Sequence, residues 1–228
     1  MLFDIISGIV LLVMKYFGLA FSALLPVINP LGSALLFMAI VGTSPASIFR
    51  KLARRVAFSR VLFLLTVELV GATLLTFFGI SLPVVQFAGG FVLAAMGWGL
   101  LNNKDARATV KQASVEGDDG TLSEKVFYPL TFPITAGPGC IVVMVTLSAH
   151  ASRSGVLNNV LAHLGIAVAV VALSVTVLLS YTYAPKITQK ITPQTIHGIL
   201  RVIAFVLLCI GVQIAWKGLE TMIGRIQK

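Results

Sequence analysis

Two short strings hold most of the chemistry that this sequence could perform: Pro26–Gly32, reading PVINPLG, and Pro133–Gly139, reading PITAGPG. Each begins with proline, ends with glycine and carries a second proline shortly before that glycine. Proline inside a helix removes an N–H donor and presses on the carbonyl four residues earlier. In hydrocarbon each unpaired backbone group is costly, so such a break survives only when protein or a wet cavity surrounds it. N–H groups freed where a helix restarts suit a carboxylate. Carbonyls freed where it stops suit a cation or an ammonium. A zwitterionic amino acid offers both charges in one small molecule. The substrate-binding candidates are therefore Asn29, Pro30 and Gly32 in the first break, and Thr131, Thr135, Gly137 and Gly139 in or beside the second. The bland alternative for either string is a simple proline kink.

Glu68 is the third candidate. It is the one acidic residue inside an apolar stretch, where an ionisable group is expensive and a functional role is the default expectation. A carboxyl there can load and unload a coupling proton; the alternative is a hydrogen-bonded Glu holding two helices together. Arg60 lies two turns away, roughly 12 Å along one helix, and is a poor direct partner.

Other chemistry finds no support. The chain lacks HExxH, GxSxG, a Walker loop and a GxGxxG after a strand. His150, His163 and His197 fall near the ends of apolar stretches, and Cys140 and Cys209 read as small packing residues. The expectation is a protein that is not an enzyme, with no cofactor and no metal.

The elements that must position these residues are membrane helices. Apolar residues make up 57% of the 228 positions, charged residues 11%, and the mean hydropathy is +0.99. A water-soluble surface cannot be built from so few charges. Crossing roughly 30 Å of hydrocarbon takes about 20 mainly apolar residues. Such runs predict spans near 16–41, 58–78, 83–101, 127–149, 157–183 and 198–220. Leu2–Met14 lacks the basic start and cleavage site of a signal peptide, so it reads as a pre-helix or an extension of the first span.

The net charge of +9 could suggest nucleic acid, but its placement points elsewhere. Loops 42–60, 102–126 and 184–201 hold five, four and three of the 17 Lys and Arg residues. That alternation is the positive-inside bias, and it predicts both termini on the outer, periplasmic side of a bacterial inner membrane. Nucleic acid is not an expected partner; a small neutral amino acid and membrane lipids are, and a homo-oligomer stays open.

The chain reads as one integral membrane domain over 1–228. A three-helix repeat at 16–101 and a second at 127–228 flank a polar cytoplasmic linker at 102–126. Three spans per half place equivalent helices in opposite directions, the inverted-repeat arrangement of many secondary transporters. The paired breaks support it, and so does a second echo: Phe91–Gly97 is FVLAAMG and Phe205–Gly211 is FVLLCIG. The fold class is thus an all-α membrane protein of six transmembrane helices in two inverted repeats, with helices 1 and 4 broken.

Asn29–Gly32 (NPLG) together with Pro129–Gly139 (PLTFPITAGPG) resembles the MarC family of bacterial inner-membrane proteins. Gly79–Gly90 (GISLPVVQFAGG) and Gly211–Gly218 (GVQIAWKG) are similar to that family too. The resemblance runs from about residue 17 to the C-terminus. It implies six spans, inverted repeats and kinship with carriers of small neutral amino acids such as glycine and alanine. Glu68 matches no motif of the family, so its coupling role rests on the physics of burial alone. The leading expectation is a secondary transporter of small neutral amino acids driven by a proton or other cation gradient. The alternative is a non-transporting membrane protein with a structural or stress-response partner role.

Overall fold

A computed structural model describes residues 2–41, 45–102, 126–151, 155–190 and 193–226. Within them the chain forms seven α-helices and one widened turn segment, with no strand. The helices are α1 (Leu2–Ile28), α2 (Pro30–Val41), α3 (Ala46–Phe77), α4 (Leu82–Asn102), α5 (Pro138–Ala151), α6 (Val156–Lys190) and α7 (Pro193–Ile226). A π-type segment, Phe127–Thr135, precedes α5. The linker expected at 102–126 falls, apart from its two end residues, outside the described residues.

Five stretches are long and apolar enough to cross a membrane: Ile6–Met38, Ala46–Phe77, Leu82–Asn102, Val156–Lys186 and Gly198–Gly224. They correspond to five of the six expected spans. The first takes in both α1 and α2, and its helix continues through Lys15 instead of starting after it. The remaining stretch, expected at 127–149, is not one helix. It divides into the π segment and the 14-residue α5, which at 1.5 Å per residue is about 21 Å long, short of a full crossing. The cause is local: Pro129 and Pro133 stand four residues apart where a helix would otherwise run.

A tight turn joins α3 to α4. Gly79 takes φ 68°, a left-handed conformation that glycine adopts without strain, and Ile80 N–H reaches back to Leu75 O at 2.9 Å. This is the Schellman closure, and α4 starts three residues after Gly79.

α6 is the central helix. Ala162, Ile166, Ala169, Val170, Leu173, Val177, Tyr181 and Ala184 recur every three or four residues and are all buried. They meet α1 and α2 on one side and α3 on another, with α5 also against the helix. The opposite partnership, α4 with α7, is backbone-on-backbone. A Cβ added at Gly97 would lie 2.6 Å from Leu208 N and 2.9 Å from Ala204 O. One added at Gly211 would run into Ala94 N and the Gly90 carbonyl. Outward faces keep large apolar side chains such as Phe58, Leu62, Leu69 and Phe77, as expected where lipid replaces water.

Candidate functional site

The first break is a single residue wide. Asn29 has φ 44° and separates α1 from α2, with Pro30 as the first residue of the new helix. Asparagine tolerates this left-handed geometry better than most residues, and proline at the first helical position loses no hydrogen bond. Gly32 N–H donates to Asn29 Oδ1 at 3.0 Å, so the Asn29 side chain caps α2. Gly32 provides the room for that cap, since a Cβ there would strike the Asn29 carboxamide, 2.8 Å from its Cγ.

The second break is longer. Tyr128 (φ −118°, ψ 125°) and Phe132 (φ −116°, ψ 127°) are extended inside an otherwise helical run. Each immediately precedes a proline, whose ring excludes the helical conformation from its neighbour. Carbonyls loosened by this geometry are met by threonine. Thr131 Oγ1 donates to Val126 O at 2.7 Å, and Thr135 Oγ1 lies 2.7 Å from Leu130 O and 3.0 Å from Thr131 O. Both threonines are buried. The chain then re-enters a helix at Pro138, with the Gly137 carbonyl accepting from Cys140 N–H at 2.9 Å. Gly139 packs α5 tightly: a Cβ there would strike the Leu93 side chain and lie 3.0 Å from Val27 Cγ1.

The sequence-derived candidates thus occupy two junctions, and α2 touches the π segment. Their polar side chains hydrogen-bond first to their own backbone. What joins the junctions is a third element, α6. The Tyr181 hydroxyl lies beside the side-chain hydroxyls of Ser33, on the first turn of α2, and Thr135, at the end of the π segment. It has no hydrogen-bond partner of good geometry among the described residues. Phe37 stacks on the Tyr181 ring at 4.2 Å and fixes its position.

Arg60 stands close by, on α3. It is fully buried, and its Nη1 donates to Leu173 O on α6 at 3.2 Å. Sequence reading counts Arg60 among the basic residues of 42–60 and sets it near the start of the span at 58–78. The structure corrects this: α3 begins at Ala46, so Arg60 sits fourteen residues into a 32-residue helix. Arg50, Lys51, Arg54 and Arg55 stay exposed near the start of that helix.

Glu68 lies two turns further along α3, also buried, and meets His163 Nδ1 of α6 through Oε1. Ser148 of α5 donates to the Glu68 backbone carbonyl at 2.7 Å. His163 is 21% exposed and Glu68 2%, so the imidazole is the wetter end of the pair. One signal could have found Arg60: Val56, Arg60, Leu64 and Glu68 are spaced by four and share one helix face. No local signal marks Ser33, Tyr181 or His163, whose partners come from distant segments.

The family model for MarC family integral membrane proteins matches residues 14–223. A membrane protein of Pyrococcus horikoshii is 30% identical over 65% of this chain and 71% of its own length. One from Pyrococcus abyssi is 27% identical over 93% of this chain and 98% of its own. The inner membrane protein MarC of Citrobacter koseri is 29% identical over 92% and 96%. No solved structure matches the chain. The chain belongs to the MarC family of integral membrane proteins.

Proposed function

We propose that this chain is a secondary transporter carrying small neutral amino acids, of the size of glycine and alanine, across the inner membrane. The observation that carries this reading is the convergence of two interrupted helices, at Asn29 and at Phe127–Thr135, on one buried cluster of hydroxyls: Ser33, Thr135 and Tyr181. Non-helical backbone at membrane depth is the usual setting of a transporter site, where half-helix ends meet a small charged solute. Gly137 and Gly139 at the restart of α5, with Pro30 and Gly32 at the restart of α2, keep both junctions slim.

The packing supports an inverted repeat. If α1–α2, α3 and α4 correspond to the π segment with α5, α6 and α7, the contacts between the two halves have exchanged counterparts. α3 meets α5 as α6 meets α1 and α2, and α4 meets α5 as α7 meets α1. Gly97 packs on Ala204 and Leu208, while Gly211 packs on Gly90 and Ala94, the positions equivalent in the FVL echo. In this reading the membrane holds six crossings with both termini outside, and the Glu68–His163 pair carries the coupling proton.

The internal hydrogen bonding of Asn29, Thr131 and Thr135 favours a second reading, in which the breaks are structural and nothing is transported. Proteoliposomes holding the purified chain separate the two. The transporter takes up labelled glycine or alanine when a pH gradient is imposed, and exchanges it when none is. Vesicles that do neither, beside protein shown to be folded and inserted, remove the transport reading.

A further inference from the structure

Arg60 combines three features that a purely structural arginine does not need together. It is fully buried near the middle of α3. Among the described residues no carboxylate pairs with it; its one hydrogen bond runs from Nη1 to the neutral carbonyl of Leu173. Among the described residues its Nε and Nη2 are both without a partner. A guanidinium keeps its charge and all five donors, and a buried charge with no counter-charge is strongly disfavoured. Loop arginines escape this by reaching water; Arg60 does not.

The pair of atoms left over is informative. Nε–H and the adjacent Nη2–H form the side-on edge of the guanidinium, two parallel donors whose spacing matches the two oxygens of a carboxylate. Nη1, on the other edge, is tied to α6 and fixes the plane. The groups nearest in electrostatic terms, Cys140 and Tyr181, are neutral in their ordinary states. The Tyr181 hydroxyl, beside those of Ser33 and Thr135, adds one more polar group. The first turns of α2 and α5, where Ser33 and Cys140 sit, add partial positive charge.

The geometry points to Arg60 as the receptor for the substrate's carboxylate, gripping it side-on through Nε and Nη2 beside the Tyr181 hydroxyl where the two helix junctions meet. This rests on the amino acid reading above and deepens it by naming the group recognised. It also accounts for a mid-helix arginine with no acidic partner: the ligand supplies the counter-charge. The solute must then carry a carboxylate small enough to reach between α2, α3, α5 and α6. An amino acid amide or an amine alone should not bind.

Thermal melting of the purified full chain in detergent tests this, with glycine, glycinamide and acetate as probes, on wild type, Arg60→Met and Arg60→Lys. Glycine should raise the melting temperature of wild type and glycinamide should not. Arg60→Met should melt no lower than unliganded wild type, since it removes an uncompensated buried charge, and glycine should no longer shift it. Arg60→Lys keeps the charge without the fork and should bind glycine at least tenfold more weakly; it remains decisive should the Met variant fail to fold. Glycine binding of wild-type strength in either variant overturns the assignment of Arg60 and leaves the amino acid reading intact. An Arg60-dependent response to acetate with none to glycine keeps the carboxylate receptor and sinks the amino acid reading. No response of wild type to glycine or acetate overturns both.

Discussion

His163 and Glu68 face each other across the seam between α6 and α3, imidazole Nδ1 against carboxylate Oε1, two helical turns from Arg60 on the same helix. The pair brings the one buried acid of the described residues together with a base that reaches the wetter rim of the protein. Donor and acceptor roles in such a pair exchange when a proton arrives or leaves.

Glu68→Gln removes the titrating carboxyl while keeping an acceptor for His163. Accumulation driven by a pH gradient should be abolished, whereas glycine exchange at equal pH on the two sides should persist. His163→Gln should impair gradient-driven uptake in the same sense. Proteoliposome flux measures both, and normal accumulation by a folded Glu68→Gln protein rules out the coupling role.

At the first junction the test is of stability. Asn29→Ala loses both the cap and a residue tolerant of φ 44°, and should cost about 1–2 kcal/mol. Asn29→Gly keeps the backbone freedom and should cost only a few tenths of a kcal/mol by cap replacement. Gly32→Val should be worse than either, because its side chain displaces the Asn29 carboxamide. Melting temperatures in detergent should rank Gly, Ala and Val in that order; a Gly32→Val protein as stable as wild type would show that the cap does not hold α2.

Two glycines of α4, two residues apart, should behave in opposite ways. Gly97→Ala drives a methyl to within 2.6 Å of the Leu208 backbone nitrogen and should cost about 1–3 kcal/mol. Gly99→Ala has nothing within 4 Å and should be neutral or gain up to about 1 kcal/mol from helix propensity. Melting of the two variants side by side checks this, and equal destabilisation of both would contradict the close α4–α7 approach.

The proposed orientation, with both termini outside, is tested by labelling. In a chain whose Cys140 and Cys209 are replaced by serine, Ile80→Cys should react with an impermeant maleimide from outside. Asn102→Cys, at the far end of α4, should react only after the membrane is opened. Labelling of Asn102→Cys in sealed cells contradicts the orientation.

Much of this was legible because proline acts on its neighbours. The extended Tyr128 and Phe132 follow from Pro129 and Pro133 alone, and Asn29 before Pro30 marks the other junction as plainly. The echo FVLAAMG and FVLLCIG foretold where α4 and α7 would carry matching glycines. Arg60 was not legible in this way. Four basic residues between Arg50 and Arg55 make the expected span start near 58, with Arg60 at its edge, and only the true start of α3 at Ala46 moves it inward. His163 and Tyr181 could not be read at all, since their meaning depends on contacts with Glu68, Ser33 and Thr135, all in distant segments of the chain. The roles of Asn29, Thr131 and Thr135 were half read: their polarity was visible, but not that their own backbone would engage it first.

The interlocking of α4 with α7 also limits how this protein can change shape. Helices usually slide past one another by small rotamer adjustments of the side chains between them. At Gly90, Gly97, Gly211 and Gly218 no such side chains exist, and main chain meets main chain. The two helices therefore behave mechanically as one strut, turning together or not at all. Bending has to be found elsewhere, and the places that offer it are the one-residue joint at Asn29 and the loosened turns of Phe127–Thr135.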